Sequence, residues 1–475
     1  KRWIALTCSL FYALSLYRIV NAFRRGAVGE YSAMAFLPLA VCGLLIILEN
    51  DERIKKGMLM LSLGTACTLC THNITALLLL ANLAMIFLLK IIVDHKTVLK
   101  KTAILAIAKA AGLATAISAY FWLPMLTYLR TGDMGISGGL LSGNTVENRF
   151  AEKSLDVSGL LAFGSGFTQE EILGILILCI GLLYPAVLLY RRIRYRERSA
   201  QGKTGLILFL LWAMQLWFSS KLADWALWST KSILINKWIS VMQFPFRYLT
   251  MVTALGVLLL GYLLMEVSET ALFAEKKFLA RVGICALLLI SGLNAFLFQK
   301  KIDEVQTGYR LYSKAAFSVY LAWGLDASFE LPDSFYLPSG TNMAYYKGTF
   351  SNLAELNPTV NFTGEPARKG LAATIGCQNP SSESTILLVP YVMYPGYEAV
   401  DTESNIHLPV QKGPAAMVQV NLPGGYDGTL QVRFREPLSW KFAEVISLLA
   451  VLTLIAYLVK GRAYFGGTET AAAKK

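Results

Sequence analysis

Residues 72–92 read HNITALLLLANLAMIFLLKII, and this stretch decides the fold. From Asn73 to Ile92 it is an apolar run long enough to cross a hydrocarbon core of about 30 Å as a helix. A second apolar run, 57–71, ends directly before it, with only His72 and Asn73 between them and no loop to solvate them. Two crossings joined in this way put an ionisable residue at the bilayer surface. Working outward, apolar runs occur at about 3–20, 33–50, 57–71, 73–92, 102–129, 171–190, 204–220, 248–266, 279–298 and 441–460. The pattern predicts an α-helical polytopic membrane protein with about ten transmembrane helices, of which 57–71 is short enough to be tilted or re-entrant.

Composition agrees. Of the 475 residues 55% are hydrophobic and 16% charged, and the mean hydropathy is +0.50, which excludes an ordinary soluble globular chain. Lys and Arg outnumber Asp and Glu by 44 to 31, for a formal charge of +13. Most of that excess lies in short loops between apolar runs, as the positive-inside rule requires, and no basic patch with interleaved aromatics marks a nucleic-acid module. Six of the seven cysteines fall in apolar segments, and only Cys377 lies in the large polar region, so there is no disulfide framework there. Cys67, Cys70 and His72 lack both the haem spacing and a second ligand pair, and read as a small-residue helix surface. The sequence assigns no metal site and no cofactor, and leaves a divalent ion as an open requirement.

Lys1-Arg2, the 51–56 loop, Lys96–Lys101, the 191–198 run, Lys276-Lys277 and the tail after Lys460 all fit one cytoplasmic side. The other side then receives residues 17–32, the turn at 72, the segments 130–170 and 221–247, and a large region from about 299 to 440. Glycines 132, 135, 138, 139, 143, 164 and 166 make the 130–170 segment a mobile loop in this reading. Within 299–440, Ala416–Val420 and Thr429–Phe434 alternate apolar and polar residues between Pro-Gly-Gly and Asp-Gly turns. That pattern predicts a small antiparallel β unit. The expected organisation is a helical bundle over 1–298, an exterior β-rich domain over 299–440, and a last span with a cytoplasmic tail over 441–475.

Three polar clusters fall on the exterior side: Arg18 to Glu30, His72-Asn73, and Gln243-Phe244-Pro245-Phe246-Arg247. Ionisable groups near a bilayer are costly unless they act, about 2.5–3.5 kcal/mol each at a helix centre. Guanidinium groups grip phosphate oxygens in a bidentate way, so Arg18, Arg24, Arg25 and Arg247 are candidate phosphate ligands. Glu30 is placed to orient an arginine or to hold a cation. His72, Asn73 and Gln243 are candidate contacts to sugar hydroxyls or phosphate, set against plain helix-end hydrogen bonding. Trp225, Trp228 and Trp238 read as interfacial belt residues.

Leu14–Arg18 with Arg25–Glu30 and Phe36–Leu39, then Thr71–Leu77 and Gln243–Arg247, resemble recurrent blocks of large bacterial membrane proteins labelled "6-pyruvoyl-tetrahydropterin-synthase-related". Leu388–Tyr391, Tyr394–Tyr397 and Gly413–Ala415 resemble the membrane-proximal exterior domain of YfhO-type proteins. Both groups are similar to GT-C glycosyltransferases. The resemblance implies a GT-C-like fold in a bacterial cell membrane and a polyprenyl-phosphate-linked sugar donor. It further implies an envelope polymer or glycolipid acceptor, with Arg18, Arg25, Glu30, His72, Asn73, Gln243 and Arg247 as substrate-binding residues. Two departures stand out. Leu16 occupies a position where the family usually has Pro. The first helix also runs inside to outside, as the family's third does, so the catalytic carboxylate of the first exterior loop is expected upstream of Lys1. The rival readings are a non-catalytic transporter or flippase of lipid-linked sugars, and an envelope scaffold.

Overall fold

A computed structural model describes residues 2–131, 150, 152–163, 171–195, 201–269, 277–322, 337–341, 346 and 352–472. Of the loop expected at 130–170, residues 132–149, 151 and 164–170, which hold the seven glycines named above, fall outside them. The chain forms two compact units, one of residues 1–118, 141–310 and 450–475, the other of 119–140 and 311–449.

The first unit is helical. The apolar runs assigned to it from the sequence are helical, those at 3–20 and 102–129 each with a break. Across the chain six helices are long and apolar enough among the described residues: Val28–Glu49, Asn73–Val98, Ile175–Arg194, Pro245–Ser268, Arg281–Lys301 and Leu438–Val459. Two interrupted pairs, Arg2–Ala13 with Leu16–Arg24 and Lys101–Ile117 with Ala119–Arg130, raise the count to eight if each is one span. Ile54–Thr71 and Gly202–Ser219 are helical but carry Lys55 and Lys56, or Lys203 and Gln215, which lower their apolarity. The chain is therefore a membrane protein with six to eight candidate spans among the described residues, and the expected ten are not confirmed.

The helices pack through small residues, as expected where lipid gives no hydrophobic drive between them. A Cβ on Gly43 would stand 2.3 Å from the Leu61 amide nitrogen, and one on Gly64 2.5 Å from that of Ala40. Helices Leu37–Glu49 and Ile54–Thr71 thus meet backbone to backbone. Tyr248–Ser268 is the central helix of the unit, apolar and buried along nearly all its length. Two ion pairs tie helices together away from Tyr248: Arg191 with Glu266, which is buried, and Lys90 with the exposed Glu49, the latter shared with Thr204.

The boundary expected at 298/299 falls inside a continuous helix, Lys277–Ala322. The second unit contains all nine strands among the described residues: Asn361–Phe362 (β1), Ala367–Lys369 (β2), Ala372–Gln378 (β3), Thr385–Val392 (β4), Tyr397–Asp401 (β5), His407–Leu408 (β6), Val410–Lys412 (β7), Met417–Leu422 (β8) and Asp427–Phe434 (β9). They make an antiparallel six-stranded sheet, β1-β3-β9-β5-β6 with β2 on β3, and a three-stranded sheet, β4-β8-β7. Alternation puts Ala373, Ile375, Cys377, Leu430 and Val432 of one sheet and Leu387, Val389, Val418 and Val420 of the other into one core. Tyr394-Pro395-Gly396 forms a turn, with Gly396 at φ +115°. The helix Leu438–Ala472 begins beside this domain: Trp440 Nε1 donates to Thr127 Oγ1 at 3.2 Å, and its ring centroid lies 5.4 Å from that of Tyr128.

Candidate functional site

The first helix pair breaks at Leu14-Ser15 with a bend of 47°, and Val20–Arg24 then forms a π-turn. Such turns widen the helix and re-aim side chains, and they cluster at functional sites. Here the turn ends at Arg25, and Gly26 at φ +61° reverses the chain so that helix Val28–Met34 can start. Glu30 lies in the first turn of that helix, where the helix dipole favours a carboxylate.

Glu30 is 1% exposed, and a buried carboxylate persists only if its lone pairs are satisfied. Its Oε1 accepts from the Tyr17 hydroxyl at 2.7 Å, the Thr250 hydroxyl at 2.6 Å and, more distantly, Asn21 Nδ2 at 3.5 Å. Its Oε2 accepts from Arg25 Nη1 at 2.8 Å. Arg25 also donates to Asn21 Oδ1. Arg247 and His72 lie close enough to act on the same charge.

His72 arrives by a close approach. A Cβ at Gly29 would stand 2.8 Å from the Thr71 carbonyl oxygen and 3.5 Å from the His72 ring, so only glycine lets helix Val28–Met34 rest there. His72 is itself the N-cap of helix Asn73–Val98, its Nδ1 accepting the Thr75 amide at 3.3 Å with the Thr75 hydroxyl 2.8 Å away. An accepting Nδ1 leaves Nε2 as the protonated nitrogen of a neutral ring. Burial pushes the imidazole down to about 4, against the opposing pull of Glu30 and with help from Arg247 and Arg25.

The third cluster is a strained joint. Helix Ile233–Met242 ends at Gln243, whose φ of 65° and ψ of −38° are rare for a residue with a Cβ. The Phe244 amide donates to the Met242 carbonyl at 2.7 Å, closing a γ-turn of the uncommon, strained kind around Gln243. Pro245 opens a short 3₁₀ turn that delivers Arg247 to the start of the central helix. Phe244 and Phe246 are stacked, with centroids 5.1 Å apart and planes 11° from parallel. Arg25 lies over Phe246 at 4.5 Å and Arg247 over Phe244 at 5.3 Å. Two guanidinium groups are thus each held on one ring of a stacked pair. Arg247 Nη1 also donates to the Met242 carbonyl at 3.1 Å.

Arg25, Glu30, His72 and Arg247 are therefore brought together, with Gln243 at the turn leading into Arg247. Arg18 is not drawn into this network: its guanidinium lies over the rings of Tyr12, at 4.7 Å, and Tyr31, at 4.9 Å. Asn73 is exposed, and the capping atom is on His72 instead. Trp225 is buried and stacked on Tyr248 at 5.8 Å, and Trp238 Nε1 donates to the Tyr248 hydroxyl at 2.6 Å. These two tryptophans brace the joint. Sequence reasoning missed Tyr17, Asn21 and Thr250. Asn21 sat in view between Arg18 and Glu30, and Thr250 lies one helical turn after Arg247. Comparison with models of known protein families gives no match, and none of the curated proteins matches the chain.

Proposed function

We propose that the chain is part of a GT-C-like glycosyltransferase of the bacterial cell membrane, and that the Arg25–Arg247 cluster binds the phosphate of a polyprenyl-phosphate-linked sugar. One observation carries this reading: two guanidinium groups are held beside a single buried carboxylate and a neutral histidine, which leaves a positive balance at the ends of membrane helices. A dianionic or monoanionic phosphate on a lipid is the ligand that such a balance suits. Glu30 acts as a positioning residue. It fixes Arg25, and the donors from Tyr17, Thr250 and Arg25 saturate it.

In the reaction an acceptor hydroxyl oxygen attacks the anomeric carbon, the bond from that carbon to the phosphate oxygen breaks, and the lipid phosphate leaves with the electron pair. Arg25 and Arg247 stabilise the charge that develops on the phosphate. The hydroxyl proton goes to a base other than Glu30, whose oxygens are already engaged. The β-rich unit, on the exterior side of the expected topology, offers a surface to an envelope polymer or glycolipid acceptor. The saturation of Glu30 also favours a second reading, a non-catalytic carrier of lipid-linked sugars with the same phosphate site. The full-length protein in liposomes, supplied with polyprenyl-phosphate sugar and cell-envelope acceptor, separates the two. Release of free polyprenyl phosphate supports transfer; movement of intact donor between leaflets without release supports the carrier; neither outcome overturns both.

A further inference from the structure

Helices Ile175–Tyr195, Tyr248–Ser268 and Lys277–Ala322 enclose a groove of about 280 Å³ that the sugar-transfer reading does not use. Cys179 and Leu183 line it from the first helix, Leu260 and Leu264 from the second, and Gly283 and Leu287 from the third. An added Cβ at Gly283 would meet nothing within 4 Å, so the glycine leaves open space where a side chain would stand. The lining is almost wholly apolar and all three walls are candidate spans. Water has no partners in such a space, and the surrounding phase is hydrocarbon. The volume lies just below the range of about 300–1,000 Å³ typical of drug-sized ligands, which suits one linear chain better than a bulky ring system.

Charge identifies the rest of the ligand. The groove reaches Val267, next to the Arg191–Glu266 ion pair. Arg281 precedes the lining residue Ile284 by three positions, so the two share a helix face, and Arg281 is exposed. Arg192 and Arg194, in the last turn of the first helix, are exposed as well. Glu269 is the exposed acid at the end of the central helix, and Arg191 stands within 3.6 Å of it. These exposed cations lie at the end that the positive-inside rule assigns to the cytoplasm. We propose that the groove binds an anionic phospholipid of that leaflet, with one acyl chain between the three helices and the phosphate at Arg281. The site is independent of the Arg25–Arg247 cluster.

Native mass spectrometry of the full chain in detergent, titrated with phosphatidylglycerol or phosphatidylcholine, tests it through the tightest lipid bound. The parent is expected to bind phosphatidylglycerol at least about five-fold more tightly than phosphatidylcholine. Gly283→Leu fills the groove and should weaken both lipids about five-fold or more, and Leu287→Trp, which fills it from the same helix, should do the same. Arg281→Gln should weaken phosphatidylglycerol more than phosphatidylcholine and so remove the preference between them. Parent-like binding in both groove-filling variants, or equal affinity of the parent for the two lipids, overturns the proposal.

Discussion

Replacing Glu30 by glutamine removes one negative charge and hardly changes the shape of the side chain. The Tyr17 and Thr250 hydroxyls rotate freely, so they can accept from the new amide instead of donating to the old carboxylate. Arg25 has no such freedom. It donates to Oε2 at 2.8 Å and its side chain is 10% exposed, so the substitution strands a nearly buried cation. Removing one partner of a buried pair costs about 3–5 kcal/mol. Asn21 Oδ1 and the Phe246 face remain for the guanidinium, which puts the expected loss at the lower end, about 3 kcal/mol. Arg25→Gln alone leaves the carboxylate buried with two hydroxyl donors and should cost a similar amount. The double variant strands neither charge, so it should recover more than about 2 kcal/mol relative to the sum of the singles. Equilibrium unfolding in mixed micelles, followed by tryptophan fluorescence, reads all four proteins. A Glu30→Gln loss below about 0.5 kcal/mol, or a double variant equal to the sum, refutes the idea that this pair is a buried, coupled unit.

His72 gives a pH dependence of known sign. The ring titrates near 6.5 when unfolded and is pushed down to about 4 by burial in the fold, so the unfolded chain binds the extra proton between those values. Stability should fall as pH drops from about 6.5 towards 4, and His72→Gln should flatten that slope; an unchanged slope in the variant assigns it to other groups. Gly29→Ala forces a Cβ to 2.8 Å from the Thr71 carbonyl oxygen and should cost about 1–3 kcal/mol. Gly261→Ala, with 3.5 Å to Cys8 Sγ, should change stability by less than about 0.5 kcal/mol, and equal unfolding midpoints for the two would contradict the close-approach argument. Single cysteines at Asn352 and Glu52, both exposed, should label from opposite sides of intact cells in a cysteine-free background. Labelling of position 52 but not 352 by an impermeant reagent reverses the expected orientation.

Much of the fold was legible because hydropathy is a local property. Asn73–Val98 and the central helix announce themselves by composition alone. What composition does not carry is where a helix breaks: Ser15 and Ser118 interrupt apolar runs without Pro or Gly, and tertiary packing decides there. Strands β8 and β9 showed their alternation, whereas β3 (AATIGCQ) is built of small residues whose burial depends on the partner strands that cover them. At the site, Arg25, Glu30, His72 and Arg247 stood out because ionisable groups are rare at membrane-helix ends. Tyr17 and Thr250 are ordinary residues of apolar segments, and only the fold shows that their hydroxyls meet one carboxylate. Arg18 looked equivalent to Arg25 in sequence, yet a helix turn directs it to Tyr12 and Tyr31.

The central claim is that the Arg25–Arg247 cluster recognises a lipid-borne phosphate, and one titration tests it most directly. The full-length protein in detergent is titrated with polyprenyl phosphate and with the matching polyprenol, in the parent and in the Arg247→Ala and Arg281→Gln variants. A charge-assisted contact is worth about 1.5–3 kcal/mol, so the phosphate should tighten parent binding at least about tenfold. Arg247→Ala should abolish that advantage, while Arg281→Gln, at the separate groove, should keep it. Equal affinity of the parent for the two lipids, or a phosphate preference that survives Arg247→Ala, would contradict the account.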